Sequence, residues 1–301
     1  MEEFLQQLTN GLAVGGIYAL IALGYTMVYG VLKLINFAHG DLFTIGAYLG
    51  FTVFAALGLS GHVSGAVAVL LVTTMVMGLV ALIGYLLERV AYRPLRSSSR
   101  LSAVVSALGA SIFFQNAVML IYGAKFQVYP NDIRPTMAVS FFGMDIPLVR
   151  IMMFGASVAL MLLLHFFIHR TRTGTAIRAV AIDQGAAKLM GIDVNRVISL
   201  VFMIGPALGG VAGVMVGLYY GQVDFTMGWV YGLKAFTAAI LGGIGNIPGA
   251  MVGGLLLGVI EALGAAYISI AWKGAIAFLV LILILIIRPT GLLGERVADK
   301  I

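Results

Sequence analysis

The chain has 301 residues, of which 61% are apolar and 10% charged, with mean hydropathy +1.07 and a formal net charge of +6. A soluble domain covers its surface with about 25% charged residues. A chain this poor in charge is solvated by lipid, and its length provides one polytopic membrane domain with no second, soluble one. With no cysteine, disulfides, thiolate metal sites and Cys nucleophiles are excluded.

A bilayer core of about 30 Å takes roughly 20 apolar helical residues to cross. In chain order, apolar runs at 12–32, 41–59, 62–87, 101–122, 148–168, 197–219, 229–245, 250–267 and 270–287 predict an all-α bundle of eight or nine membrane helices. The run at 229–245 is the weakest, being short and holding Lys234, and is either a span or a re-entrant helix. The acidic start Met1-Glu2-Glu3 has no positive region ahead of its apolar stretch, so the first run reads as a retained span.

The cations report topology. Twelve of the eighteen Lys and Arg fall in residues 88–100 (Arg89, Arg93, Arg96, Arg100), 169–196 (Arg170, Arg172, Arg178, Lys188, Arg196) and the tail (Arg288, Arg296, Lys300). Short basic loops between spans mark the cytoplasmic face, which puts the N-terminus outside and the C-terminus inside. There is no clustered basic surface of the kind that binds nucleic acid. Segment 123–147 then lies outside. Its Tyr129-Pro130-Asn131-Asp132 and Phe141-Phe142-Gly143-Met144-Asp145 are turn clusters, the second fitting a short hairpin.

Helices in lipid pack through small residues that let backbones approach. Gly205, Gly209, Gly213 and Gly217 recur every four residues on one helix face, and Pro206 is expected to bend that helix. Gly245, Gly249 and Gly253 form a second row, and Ala250, Gly254, Gly258 and Ala262 a third.

Polar groups at membrane depth are functional candidates for a translocation path or gate. They are Asn36, His39 and Asp41 in the stretch Asn36-Phe37-Ala38-His39-Gly40-Asp41, then Gln115, Asn116 and Glu261. Asp41 alternatively caps the following helix. Glu261 has no partner visible in the sequence, and Lys234 is expected to reach the interface with its long stem. So thin a set of ionisable groups argues against a proton relay. His165 and His169 share a helix face without a third ligand, so no metal site is expected, and no nucleophile elbow or HExxH motif occurs. There is also no G-x-x-x-x-G-K-[ST] loop, so ATP and Mg chemistry, if used, belongs to partner chains.

The 28-residue stretch 169–196 is longer than a connector requires. Thr175 as N-cap and Gly191 as left-handed stop delimit a short amphipathic helix. Ala186 and Ala187 make one of its surfaces small enough for close approach of another protein, while Arg178, Asp183 and Lys188 supply charged edges. Ala186-Ala187-x-x-x-Gly191 resembles the "EAA" coupling loop of bacterial ABC importer permeases, although Gly185 stands where the general pattern has Glu. With Gly15-Gly16-Ile17-Tyr18-Ala19-Leu20, the Asn36–Asp41 stretch and Gly242-Gly243-Ile244-Gly245-Asn246-Ile247-Pro248-Gly249-Ala250, nearly the whole chain resembles the branched-chain amino acid importer permeases, of the smaller of the two permease types.

That resemblance implies a multi-pass subunit of the bacterial cytoplasmic membrane, not itself an enzyme. Its implied partners are two ATPase subunits, a second permease and a periplasmic substrate-binding protein that delivers leucine, isoleucine or valine. Sugar-type importer permeases share the architecture. A solitary ion-coupled carrier and a non-transporting membrane scaffold are the readings from other classes.

Overall fold

A computed structural model describes residues 2–57, 65–96, 98–130, 138–141 and 144–294, and it is almost wholly helical. The elements are α1 (Glu2–Leu32), α2 (His39–Leu57), α3 (Gly65–Leu87), α4 (Arg100–Tyr122), β1 (Gln127–Val128), β2 (Ala138–Phe141) and β3 (Met144–Pro147), followed by α5 (Leu148–Arg170), α6 (Arg172–Ile182) and α7 (Gln184–Leu189). Then come α8 (Val194–Tyr220), β4 (Gln222–Val223), α9 (Met227–Gly242), α10 (Ile247–Tyr267) and α11 (Lys273–Ile287). One π turn (Glu88–Tyr92) and one 3-10 turn (Arg93–Leu95) extend α3, and another 3-10 turn (Ile270–Trp272) leads into α11.

Over their described residues each of the nine apolar runs is mainly helical, the run at 229–245 ending its helix at Gly242. Among the described residues, seven helices are long and apolar enough to cross a membrane: α1, α3, α4, α5, α8, α10 and α11 with its leading turn. The 16-residue α9 is only about 24 Å long, and α2 also falls outside this set. The expected runs 41–59 and 62–87 extend into 58–64, which lie outside the described residues, as do Asn131, Asp132, Arg134, Phe142, Gly143, Arg296 and Lys300.

Two helices form the centre and others wrap it. In its most apolar 18-residue window α1 is 94% buried and α8 83%, whereas α4 is 11% buried and α11 6%. The first pair is therefore packed against protein, and the last two turn most of their surface outward.

The glycine rows set these contacts. On α8, Gly205 meets Gly24 of α1, Gly209 faces the His39 ring, Gly213 backs onto Phe43 and Ala47 of α2, and Gly217 backs onto Tyr129. The two rows on α10 grip different helices, Gly249 and Gly253 lying on α9 at Gly242 and Ala238, and Gly254 and Gly258 on α1 at Ala19 and Gly15. Gly245 does not continue its row, because it sits in the turn before α10 at φ +96°. Pro206 has no N–H for the Phe202 carbonyl, and Gly84 of α3 packs on that carbonyl and on the proline ring.

A Cβ on Gly46 would lie 2.7 Å from the Gly210 carbonyl oxygen, with backbone rather than a movable side chain in the way. Gly46→Val is thus expected to destabilise the bundle by about 1–3 kcal/mol or more. Thermal unfolding in detergent measures this, and an unchanged midpoint contradicts the packing assigned to α2 and α8.

Residues 123–147 carry two small antiparallel pairs, β1 with β4 and the β2–β3 hairpin, in the register Phe141↔Met144 to Ala138↔Pro147. The hairpin is the one expected from the turn cluster. Ser140 Oγ donates to Asp145 across it at 2.5 Å. Tyr129 is buried and donates its hydroxyl to the Ala47 carbonyl at 2.5 Å, pinning this segment to α2, and burial holds its pKa above the usual phenol value.

Candidate translocation and coupling sites

Asn36, His39 and Asp41 are brought together inside the bundle. Asn36 Oδ1 accepts from the Ala38 N–H at 3.1 Å and from the Tyr92 hydroxyl at 2.7 Å, which ties the turn before α2 to the π turn after α3. His39 Nε2 donates to the Ile21 carbonyl at 3.2 Å. Its ring occupies room left by Gly24 and meets Tyr25 edge-on at 4.8 Å. Ile21 lies eleven residues before the end of α1, about 16 Å along the axis. The chain therefore turns back into the bundle after Leu32, and α2 begins near the middle of α1.

Asp41 is the third residue of α2, and its carboxylate reaches across to Ser111 of α4, which donates to it at 2.5 Å. Beside it, Gly40 packs on Gly228, so the first turns of α2 and α9 meet within the bundle. Gln115 and Asn116 lie further along α4, half-buried and exposed respectively. The Asn116 amide nitrogen donates to the Ile112 carbonyl at 2.8 Å.

Glu261 does have a partner, contrary to the sequence expectation. Lys234 Nζ is 2.5 Å from Glu261 Oε1, and Lys273 Nζ is 3.6 Å away. The Glu261 side chain is 1% exposed and Lys234 12%, so Lys234 does not extend to the interface but points into the bundle. It also donates to the Tyr18 hydroxyl at 3.4 Å and lies 5.8 Å from that ring's centre. One carboxylate thus joins α1, α9, α10 and α11.

The loop after α5 holds two helices, not one. The N-cap is Thr171, not Thr175: the Thr171 hydroxyl accepts from the Gly174 N–H at 3.0 Å and starts α6. Asp183 leaves helical geometry at φ −152°, ψ 111° and divides the segment. Its Oδ1 then caps α7, accepting from the Gly185 and Ala186 N–H groups at 2.8 and 3.0 Å. Gly191 takes φ +81° past the end of α7, the left-handed stop expected of it. Ala187 is buried at 4% exposure, so it packs inward and is not the small outward surface expected. Ala186, Arg178, Asp183, Lys188 and Gly191 are exposed. The outward apolar groups are instead Ile182, Leu189 and Met190, at 87%, 90% and 82% exposure.

Sequence reasoning missed two connections of this loop. Gln184 Nε2 donates to the Val31 carbonyl at 2.7 Å, linking α7 to the end of α1. Beside it, fully buried Glu88 accepts from Arg96, and from Ser199 of α8 at 2.8 Å, while Arg96 also donates to Asn195 at 2.8 Å. Burial draws the Arg96 pKa below its usual value, with the Glu88 carboxylate opposing that shift. A lone carboxylate leading a run of arginines was the available signal. Arg96, Gln184, Lys188 and Asn195 are among the residues lining a cleft of about 520 Å³. His165 and His169 stack at 4.2 Å, and no group of three or more His, Cys, Asp or Glu that can hold a metal occurs among the described residues.

The arrangement is that of a membrane bundle with polar groups at depth, coupled to a loop that presents apolar side chains. Residues 7–285 match the family model described as branched-chain amino acid transport system, permease component. The chain is 45% identical over 301 residues to the high-affinity branched-chain amino acid transport system permease protein LivH of Escherichia coli K12, covering 99% of this chain and 98% of that one. To the corresponding protein BraD of Pseudomonas aeruginosa it is 46% identical over 302 residues, with the same two coverages. This chain belongs to the family of branched-chain amino acid transport system permease components.

Proposed function

We propose that this chain is the membrane-spanning permease subunit of an ATP-driven importer of leucine, isoleucine and valine in the bacterial cytoplasmic membrane. Residues 1–301 act as one permease domain of eight or nine membrane helices, including α2 and α9, with the N-terminus outside and the C-terminus in the cytoplasm. The chain forms half of the translocation path and a second permease subunit the other half. A periplasmic binding protein delivers the amino acid, and two ATPase subunits bind ATP and Mg and perform the hydrolysis.

The observation that carries this reading is the α6–α7 loop. Ile182, Leu189 and Met190 stand almost fully exposed beside the charged Arg178, Asp183 and Lys188. On a loop outside the hydrocarbon, such a patch loses free energy to water until another protein covers it. Ala187 anchors α7 from below, Gly191 ends it, and Gln184 passes its displacement to α1, which is bonded at Ile21 to His39. Asn36, His39 and Asp41 line the path or gate where the first turns of α2 and α9 meet. Gln115, Asn116 and Glu261 are placed with them by the same reading, Glu261 fixing the helices and Gln115 and Asn116 facing the path.

Affinity purification from native membranes in mild detergent, with an ATPase assay on the eluate, tests the assembly. Co-elution of an ATPase pair and a second permease is expected, with hydrolysis stimulated by a binding protein loaded with leucine. A chain that elutes alone and shows no nucleotide-dependent activity overturns the proposal.

A further inference from the structure

The face of α3 that packs on α8 changes character at its last rung. Val72, Val76, Val80 and Gly84 recur every four residues and are all buried, and Glu88 continues the same row. The rungs meet α8 in reverse order. Val80 packs on Gly210, Gly84 on the Phe202 carbonyl and the Pro206 ring, and Glu88 bonds the Ser199 hydroxyl. An aliphatic side chain at this rung would simply extend the seam. A fully buried carboxylate is costly to desolvate, and replacing a buried ion pair with apolar groups of like volume is often neutral for stability. Packing alone gives no reason for Glu88 to be charged.

What the carboxylate does is join segments. It accepts from Ser199 at 2.8 Å and from Arg96, with Arg93 at 3.9 Å, and Arg96 also donates to Asn195 at 2.8 Å. Asn195 and Ser199 belong to the first turns of α8, which begins directly after the α6–α7 loop. Glu88 also opens the π turn Glu88–Tyr92, a distortion frequent at functional positions. Tyr92 closes that turn. It is buried with its ring centre 4.9 Å from that of Phe202, and its hydroxyl donates to Asn36 at 2.7 Å. One turn of chain is thus bonded at its start to the segment that follows the loop, and at its end to the stretch that holds His39 and Asp41. α7 is held separately, by Gln184 on Val31, and the cleft of about 520 Å³ opens between α7 and Arg96.

We infer that Glu88 is a positioning residue for energy coupling. Through Ser199 and Arg96 it holds the π turn to the start of α8, so that displacement of the α6–α7 loop reaches Asn36 through Tyr92. The inference rests on the proposed ATP-driven importer and adds a second route to the one through Gln184 and α1.

The test is the ratio of leucine taken up to ATP hydrolysed by the whole assembly in proteoliposomes, with thermal unfolding measured alongside. The paired change Glu88→Met with Arg96→Met is expected to keep the parent's unfolding midpoint. It should lower the ratio about tenfold, within the range by which positions between two sites modulate coupling. Glu88→Gln, which keeps an acceptor for Ser199 and Arg96, is expected to restore most of the ratio. Tyr92→Phe retains the ring beside Phe202 and removes only the bond to Asn36, so it should lower the ratio about threefold with no change in melting. A parent-like ratio in the folded paired variant overturns the inference. Where that variant fails to assemble, Tyr92→Phe decides, and a parent-like ratio there shows that the cluster serves the fold alone and likewise overturns it. Uptake by the parent assembly that needs no ATP overturns the importer reading, and the inference with it, before any variant is made.

Discussion

Glu261→Ala is expected to destabilise the folded chain by about 3–5 kcal/mol, the usual cost of removing one partner from a buried ion pair. Lys234 would remain with its ammonium in the bundle, with the Tyr18 hydroxyl as its remaining contact at 3.4 Å. Because Glu261 also faces Lys273 at 3.6 Å, its loss removes the negative charge between two positive ones. Thermal unfolding in detergent should show a large downward shift with reduced yield. The double change Glu261→Met with Lys234→Met should recover most of the loss, since paired charges replaced by apolar groups of similar volume are often neutral. If Glu261→Ala melts like the parent chain, the cluster does not hold α9, α10 and α11 together.

The other large effect is on assembly. Leu189→Asp combined with Met190→Asp should leave the permease fold intact, because both side chains are more than four-fifths exposed. In a docked interface, buried apolar anchors contribute 2 kcal/mol or more each. Losing two of them, with carboxylates introduced in their place, should weaken ATPase binding by about a hundredfold or more. Retention of the ATPase subunits on an affinity column of the permease measures it. Undiminished retention would place the docking surface elsewhere.

Features set by local chemistry were legible in the sequence. The apolar runs are mainly helical over their described residues, Gly191 took its left-handed geometry, and most of the row glycines on α8 and α10 lay at close contacts with a neighbouring helix. Steric fit makes such rows readable even when the partner helix is not. The depth at which α2 starts was hidden, since it depends on His39 bonding Ile21 and on the Asn36–Tyr92 link rather than on any run length. α9, at 16 residues, showed its shortness in the sequence but not its packing.

Contacts between distant residues were illegible for the same reason. Lys234 with Glu261, Gln184 with Val31, and Glu88 with Ser199 are separated by 27, 153 and 111 positions, and no periodicity links them. The loop differed because Thr171 and Thr175 are equivalent N-cap candidates by residue type. The extended backbone at Thr171 (ψ 155°) and the second break at Asp183 decided between them. Ala187 turned inward as a consequence, and the outward role passed to Ile182, Leu189 and Met190.

The most direct test of the transport mechanism is uptake of labelled leucine into proteoliposomes holding the purified assembly, with its loaded binding protein outside and ATP sealed inside. Uptake should require internal ATP, persist when ionophores collapse the proton and sodium gradients, and vanish with the Leu189→Asp, Met190→Asp pair. Uptake that proceeds without ATP and disappears with the ion gradients would contradict the account and make the chain an ion-coupled carrier.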